Sequence, residues 1–320
     1  MPLLELQQLS TVFDTERGVL RAVDEVSFSV NQGETLAIVG ESGCGKTVTA
    51  LSIMRLIGHP GRIESGKIFL DQKNILGLTE QKMRNIRGGE ISMIFQDPMT
   101  SLNPVLTIGD QISEAICLHQ GVNSKAALDI ADEMLQKVGM PDSRQKLREY
   151  PHQLSGGMRQ RAMIAMALSC SPKLIIADEP TTALDVTVQS QVLGLFQLLK
   201  QLGDVSILII THNLGVVAEI ADRAIVMYAG QIVEQGNVVP LFHNPLHPYT
   251  QGLLRSIPSI RPSSYKKQLI SIPGNVPNMA RLPVGCRFKD RCDQRFTQCD
   301  LPPPFIDKAD NQKVRCWRYQ

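Results

Sequence analysis

The residues that most restrict the fold are Gly40-Glu41-Ser42-Gly43-Cys44-Gly45-Lys46-Thr47. They follow Thr35-Leu36-Ala37-Ile38-Val39, a short apolar run that suits a strand buried on both faces. A helix is predicted from about Lys46 to Leu56. Glycines in this position let the backbone curl so that successive N–H groups point inward, and the helix aims its positive end at the same place. Such a loop cradles phosphate. Lys46 then serves as a point charge for the β- and γ-phosphates, and Thr47 offers a hydroxyl to Mg²⁺. The arrangement commits the chain to an α/β core that takes a nucleoside triphosphate.

The remaining pattern agrees with that core. Alternating runs at Leu3–Leu9 and Ala22–Val30 read as short strands, as do Ile63–Leu70 and Ile91–Gln96. Periodic apolar spacing over Ile108–His119 and Ala126–Val138 predicts helices, and another helix follows over Gln160–Leu168. Leu174–Ala177, Ile207–Ile210 and Arg223–Met227 read as further buried strands, giving a mixed or largely parallel sheet. The expected divisions are residues 1–96 and 171–239 for the two parts of the core, 97–170 for an α-helical insert, and 240–320 for a proline-rich, irregular C-terminal extension.

At 320 residues the chain can bury a sizeable core. Its formal net charge of +2 gives no electrostatic argument for nucleic acid as a partner. No apolar run reaches the ~18 residues of a membrane helix. The start Met1-Pro2-Leu3-Leu4-Glu5 lacks the basic-then-apolar pattern of a signal peptide. The expectation is a cytosolic chain that meets a membrane only through partners. In that reducing setting, Cys286, Cys292, Cys299 and Cys316 suggest a metal site rather than disulfides. Their spacing, x5, x6 and x16, is looser than paired zinc knuckles and lacks the tight bacterial ferredoxin run. Iron–sulfur, zinc and free thiols all remain open on the residues alone. Arg287, Arg291, Arg295 and Arg315 are placed to offset the charge of thiolate ligands. Cys44 falls at a helix N-terminus, which would depress its pKa, although a filler at a variable position of the loop is the simpler reading.

Two further runs carry chemistry. Leu174-Ile175-Ile176-Ala177-Asp178-Glu179 ends an apolar strand in paired carboxylates, and Asp178 should hold the Mg²⁺ shell. Leu154-Ser155-Gly156-Gly157-Met158-Arg159-Gln160 places a small, glycine-rich stretch before a helix, where Ser155 also suits an N-cap. With Phe95-Gln96-Asp97-Pro98, Pro180 to Asp185 and His212 after Ile207–Thr211, these runs occur in one order. Together they resemble the motif set of ATP-binding-cassette (ABC) ATPases.

That resemblance implies an ATPase with a P-loop core. Glu179 would be the general base that polarises the attacking water, His212 the switch touching the γ-phosphate, and Gln96 the lid-loop residue reaching Mg²⁺ and the water. Ser155, Gly156 and Gly157 would grip the γ-phosphate held by a second cassette, and Asp185 would sit at the seam between the two. Many members place an aromatic residue ahead of the phosphate loop to stack on adenine. The corresponding window here holds Thr15, Glu16 and Arg17, which leaves Arg17 or the nearby Phe13 for that contact.

Within the family the chain is similar to the ATP-binding subunits of dipeptide/oligopeptide importers. The runs that carry this are Met93–Pro104, Tyr150-Pro151-His152-Gln153, Asn244-Pro245-Leu246-His247-Pro248-Tyr249-Thr250 and Pro283-x-Gly285-Cys286-Arg287-Phe288. The similarity implies a peripheral subunit on the cytoplasmic face of the membrane that powers peptide uptake. Its partners would be a second ATPase chain in a heterodimer, two permeases and an extracytoplasmic peptide-binding protein. The alternative is the same role in a nickel or metal-chelate importer, and a soluble ABC ATPase of non-transport function is the more distant one. In the similar tails, four such cysteines hold a 4Fe–4S cluster, with Zn²⁺ as the alternative.

Overall fold

The computed structural model describes residues 1–16, 18–182, 185–202, 205–257 and 271–320. In chain order the first elements are β1 (Pro2–Thr15), β2 (Gly18–Asn31), β3 (Thr35–Val39), α1 (Lys46–Ile53), β4 (Gly61–Leu70), β5 (Lys73–Asn74), α2 (Glu80–Ile86) and β6 (Ile91–Ile94). Next come α3 (Pro98–Ser101), α4 (Ile108–Gln120), α5 (Ser124–Lys137), α6 (Ser143–Lys146), α7 (Gly156–Leu168), β7 (Leu174–Asp178) and α8 (Val186–Leu202). The last are β8 (Ser206–Thr211), α9 (Leu214–Ile220), β9 (Arg223–Tyr228), β10 (Gln231–Asn237), α10 (Val238–His243), α11 (Pro248–Arg255), β11 (Phe305–Asp307) and β12 (Lys313–Arg315).

The chain divides into two compact units. One comprises Met1–Leu4, Val30–Thr35 and Phe69–Ile210; the other comprises Glu5–Ser29, Leu36–Ile68 and Thr211–Gln320. In the first, β6, β7 and β8 run parallel, with Ile91 opposite Leu174 and Asp178 opposite Ile210. Every residue of β7 and β8 is buried, including the polar Asp178, Ser206 and Thr211 at their ends, and the apolar middles suit strands covered on both faces. Beside them α4, α5 and α7 pack together. A capping box starts α4: the Thr107 hydroxyl accepts from the Asp110 N–H, and the Asp110 carboxylate accepts from Thr107. Asn123 caps α5 in the same way.

In the second unit β3 and β9 are parallel. The pairs β9–β10, β10–β12 and β11–β12 are antiparallel, which makes the sheet mixed. Between Tyr228 and Gln231 the chain turns through Ala229 and Gly230, both with positive φ, and such a two-residue turn folds β10 back directly beside β9.

One expectation needs correction. The N-terminal strands are not short: β1 and β2 have 14 residues each. The segment after residue 240 is irregular over more than half of its described residues, but α11 forms within it, with Pro248 at its first turn and His247 as cap, its ring nitrogen accepting from the Tyr249 N–H at 3.1 Å. Pro258 and Pro262 of this proline-rich stretch lie outside the described residues. Leu246, Val314 and Cys316 bury together under Tyr319.

Candidate functional site

The phosphate loop takes its shape from close backbone approach. Gly40 has φ +154°, and a Cβ there would fall 2.3 Å from the Met227 carbonyl; Gly45 has φ +103°, and its Cβ would meet the Ala22 carbonyl at 2.4 Å. Only glycine fits either position. No side chain caps the start of α1, and the positive end of such a helix favours an anion. Lys46 is buried, and its Nζ donates to the carbonyls of Gly40 (2.8 Å) and Glu41 (3.0 Å). Ser42, Gly43 and Thr47 are exposed.

Cys44 corrects an expectation. It is fully buried, and burial raises its pKa; nearby Lys46 works in the other direction without prevailing. The thiol lies under the loop rather than in front of the helix, so a depressed pKa does not arise. The filler reading stands.

Tethering of Glu41 was not visible in the sequence. Its N–H donates to the Tyr249 hydroxyl at 2.9 Å, and its carboxylate takes a two-pronged contact from Arg291 at 2.7 and 3.0 Å. Burial of Arg291 works against its charge, yet the Glu41 carboxylate and Tyr228 hydroxyl hold the guanidinium pKa above its ordinary value. Tyr249 belongs to the run Asn244–Thr250, and the structure supplies the physics of that run. The buried Glu234 carboxylate accepts the N–H groups of Leu246 (2.7 Å) and His247 (2.9 Å). Burial pushes His247 down to about 3, so its ring stays neutral and accepts. Pro248 then starts α11 and delivers Tyr249 to the loop.

In the other unit Asp178 is buried at the end of β7, and the chain leaves the strand through Glu179 at φ +47°. A non-glycine residue in the left-handed region is strained, and strain of this kind gathers at functional sites. The turn lets two adjacent carboxylates escape the strict alternation of a strand. The Glu179 N–H donates to the Ile210 carbonyl (2.8 Å), and its Oε2 accepts from Gln96 Nε2 (3.1 Å) and Thr182 Oγ1 (2.9 Å). The fold thus brings together Gln96 and Glu179. It adds Thr182, which sequence reasoning passed over within the run behind Glu179.

Ser155 is exposed and caps α7, accepting from the Met158 N–H at 3.3 Å. The helix starts at Gly156, earlier than the predicted Gln160. A Cβ on Gly156 would meet nothing within 4 Å, whereas one on Gly157 would fall 2.9 Å from Val188 Cγ1. Exposed Asp185 accepts from the Val188 N–H at 2.9 Å at the start of α8. His212 is exposed directly after β8. Of the two adenine candidates, Arg17 lies outside the described residues. Phe13 presses its ring so closely over Gly61 that a Cβ there would sit 2.5 Å from Cε1.

The four C-terminal cysteines line one cavity, with Phe288 and Trp317 among its walls. Burial pushes Cys286 up to about 11 and raises Cys292 and Cys316, and the neighbouring sulfurs add to each shift. Among the described residues no three His, Cys, Asp or Glu side chains are grouped so as to clasp a single ion. The arginines expected to balance thiolates have other partners. Arg287 binds Asp24 and the Ala229 carbonyl, Arg291 binds Glu41, Arg295 binds Asp300 and Asp290, and Arg315 binds the Ile232 carbonyl while lying over Phe305. Carboxylates and carbonyls are stronger acceptors than buried thiols, and they win this competition.

A glycine loop with an embedded lysine after a parallel strand, and a second strand ending in paired carboxylates, define a P-loop nucleotide hydrolase. The family described as ABC transporter matches residues 23–182, and the oligopeptide/dipeptide transporter C-terminal region matches residues 233–299. An oligopeptide transport ATP-binding protein of Bacillus subtilis is 53% identical over 99% of this chain and 97% of its own. A dipeptide transport ATP-binding protein of Escherichia coli is 49% identical over 99% and 96%. A solved dimeric ATP-binding cassette, in a post-hydrolysis state with ADP and phosphate, shares the fold at TM-score 0.67, with 24% identity over 73% of this chain and 98% of that one. The chain belongs to the ABC transporter family. Its match to the oligopeptide/dipeptide transport ATP-binding proteins runs the full length, tail included.

Proposed function

We propose that this chain is the ATP-hydrolysing subunit of a membrane importer for di- and oligopeptides. The observation that carries the reading is that the match to peptide-transport relatives covers cassette and C-terminal region alike. Among the described residues no helix is long and apolar enough to cross a membrane, which accords with a peripheral subunit at the cytoplasmic face.

In this reading the amides of Gly40 to Thr47 and the Lys46 ammonium hold the phosphates. Thr47, Asp178 and Gln96 serve Mg²⁺, a hard cation suited to oxygen ligands. Glu179 accepts a proton from the attacking water, kept in place by Gln96 and Thr182. His212 reports on the γ-phosphate. Ser155, Gly156, Gly157 and Asp185 act on the nucleotide of a second cassette chain, a different polypeptide in a heterodimer. The face of α4 and α5 with Asp110, Leu118 and Leu128 forms an open groove with exposed leucines, which supports docking of a permease helix on the segment 97–170. The test is a pull-down of tagged Glu179→Gln chain with Mg-ATP from detergent-solubilised membranes of its host, read by mass spectrometry. Two polytopic permeases and a second cassette chain are expected, and the ligand of the companion binding protein distinguishes peptide from nickel or a metal chelate. Recovery of soluble partners alone overturns the transport reading.

We also propose that Cys286, Cys292, Cys299 and Cys316 hold a 4Fe–4S cluster. An all-sulfur donor set suits iron–sulfur chemistry. Protein purified without oxygen is expected to contain iron and acid-labile sulfide and to show visible absorbance that bleaches on reduction. Stoichiometric zinc without iron refutes this.

A further inference from the structure

We propose that Arg291 and Tyr249 are positioning residues of the phosphate loop, through which the C-terminal tail sets nucleotide affinity. The proposal rests on the reading of Gly40–Thr47 as the nucleotide loop.

Glu41 is fixed at every polar point. Its N–H donates to Tyr249 Oη at 2.9 Å, its carbonyl accepts from Lys46 Nζ at 3.0 Å, and its carboxylate oxygens accept from Arg291 Nη1 and Nη2 at 2.7 and 3.0 Å. The anchors are themselves rigid. Arg291 is buried, and its Nε donates to the Pro273 carbonyl at 2.8 Å. Tyr249 is fully buried, with its ring 4.7 Å from Tyr228 and 5.4 Å from Phe288. Phe288 and Arg291 both lie between Cys286 and Cys292, and Arg291 ends the 3-10 turn Lys289–Arg291. The cysteine tail therefore touches the loop through a side chain next to one of its thiols.

The charge balance gives the contact a direction. A carboxylate on a loop that receives a polyphosphate repels its ligand unless a cation covers it. Arg291 supplies that cation in a fork geometry that lysine cannot reproduce. Without Arg291 the carboxylate stands uncovered beside the phosphates, and Glu41 loses its firmest restraint. A purely structural arginine would lower thermal stability without this dependence on the Glu41 charge.

The test titrates the full chain with Mg-ADP, which is not hydrolysed, and follows thermal unfolding on the same samples. Arg291→Ala is expected to raise Kd about tenfold, and Arg291→Lys by a smaller factor. In a Glu41→Gln background, where the carboxylate charge is gone, Arg291→Ala should add little. The buried Cys44 should alkylate faster in Arg291→Ala than in the unaltered chain, read by peptide mass. If Arg291→Ala does not fold, Arg291→Lys with and without Glu41→Gln carries the same comparison. Unchanged affinity in the Arg291 variants, or the same loss with and without Glu41→Gln, overturns the proposal. An unaltered chain that binds no Mg-ADP would overturn the nucleotide reading, and this proposal with it.

Discussion

Glu179→Gln is expected to leave Mg-ATP binding intact and to lower turnover by about 10²–10⁴-fold, the usual span for loss of a general base. The substitution is nearly isosteric. A glutamine oxygen can still accept from Gln96 Nε2 and Thr182 Oγ1, the contacts that hold the carboxylate now. The strained backbone at φ +47° and the N–H bond to Ile210 do not depend on the side-chain charge. Basicity is therefore the property that changes. Single-turnover hydrolysis measures the chemical step, and light scattering with Mg-ATP follows the accumulation of a closed dimer that cannot reset. Hydrolysis within about tenfold of the unaltered chain would place the base elsewhere.

Gly156→Asp separates the two halves of the composite site. Nothing lies within 4 Å of a Cβ at Gly156, so the aspartate is accommodated in the isolated chain; Gly157 is the poorer choice because its Cβ would meet Val188. The new carboxylate sits in the first turn of α7, where backbone donors would face the partner's γ-phosphate. Loss of such an anion-stabilising contact costs about 10²–10³-fold in turnover, and the added negative charge deepens it. Affinity of the isolated chain for Mg-ADP should stay unchanged, since its own phosphates are held by Gly40–Thr47. A large fall in that affinity would contradict action on a second chain's nucleotide.

Local features were the legible ones. The phosphate loop announces itself because a buried strand, fixed glycines and a helix are adjacent in sequence. The end of β7 does so because the apolar residues Leu174–Ala177 run straight into two carboxylates. Strand β10 hid behind its polar residues. Glu234 and Gln235 are buried, and Glu234 is tolerated there because it accepts the Leu246 and His247 N–H groups, which no periodicity could foretell. Cys44 misled because burial raises its thiol pKa by more than nearby Lys46 lowers it. The Arg291–Glu41 contact spans 250 residues. Counting arginines near cysteines assigned that charge to the nearest thiols in sequence, while folding offered it a carboxylate.

The pairing of β12 with β10 has a bearing on solubility. Val314 and Lys313 lie opposite Glu234 and Gln235, and β11, only three residues long, closes the series beyond them. Long exposed sheet edges invite pairing with other chains, and a very short terminal strand is one way proteins blunt them. The tail thus shields the backbone of β10 at Glu234 and Gln235 from other copies of the protein. A chain cut before residue 305 would lose Cys316 from its cysteine site and bare an edge of a seven-residue strand to self-association. Aggregation of such a truncated protein would report the uncovered strand and not the chemistry of the thiols, which single cysteine substitutions address without touching the sheet.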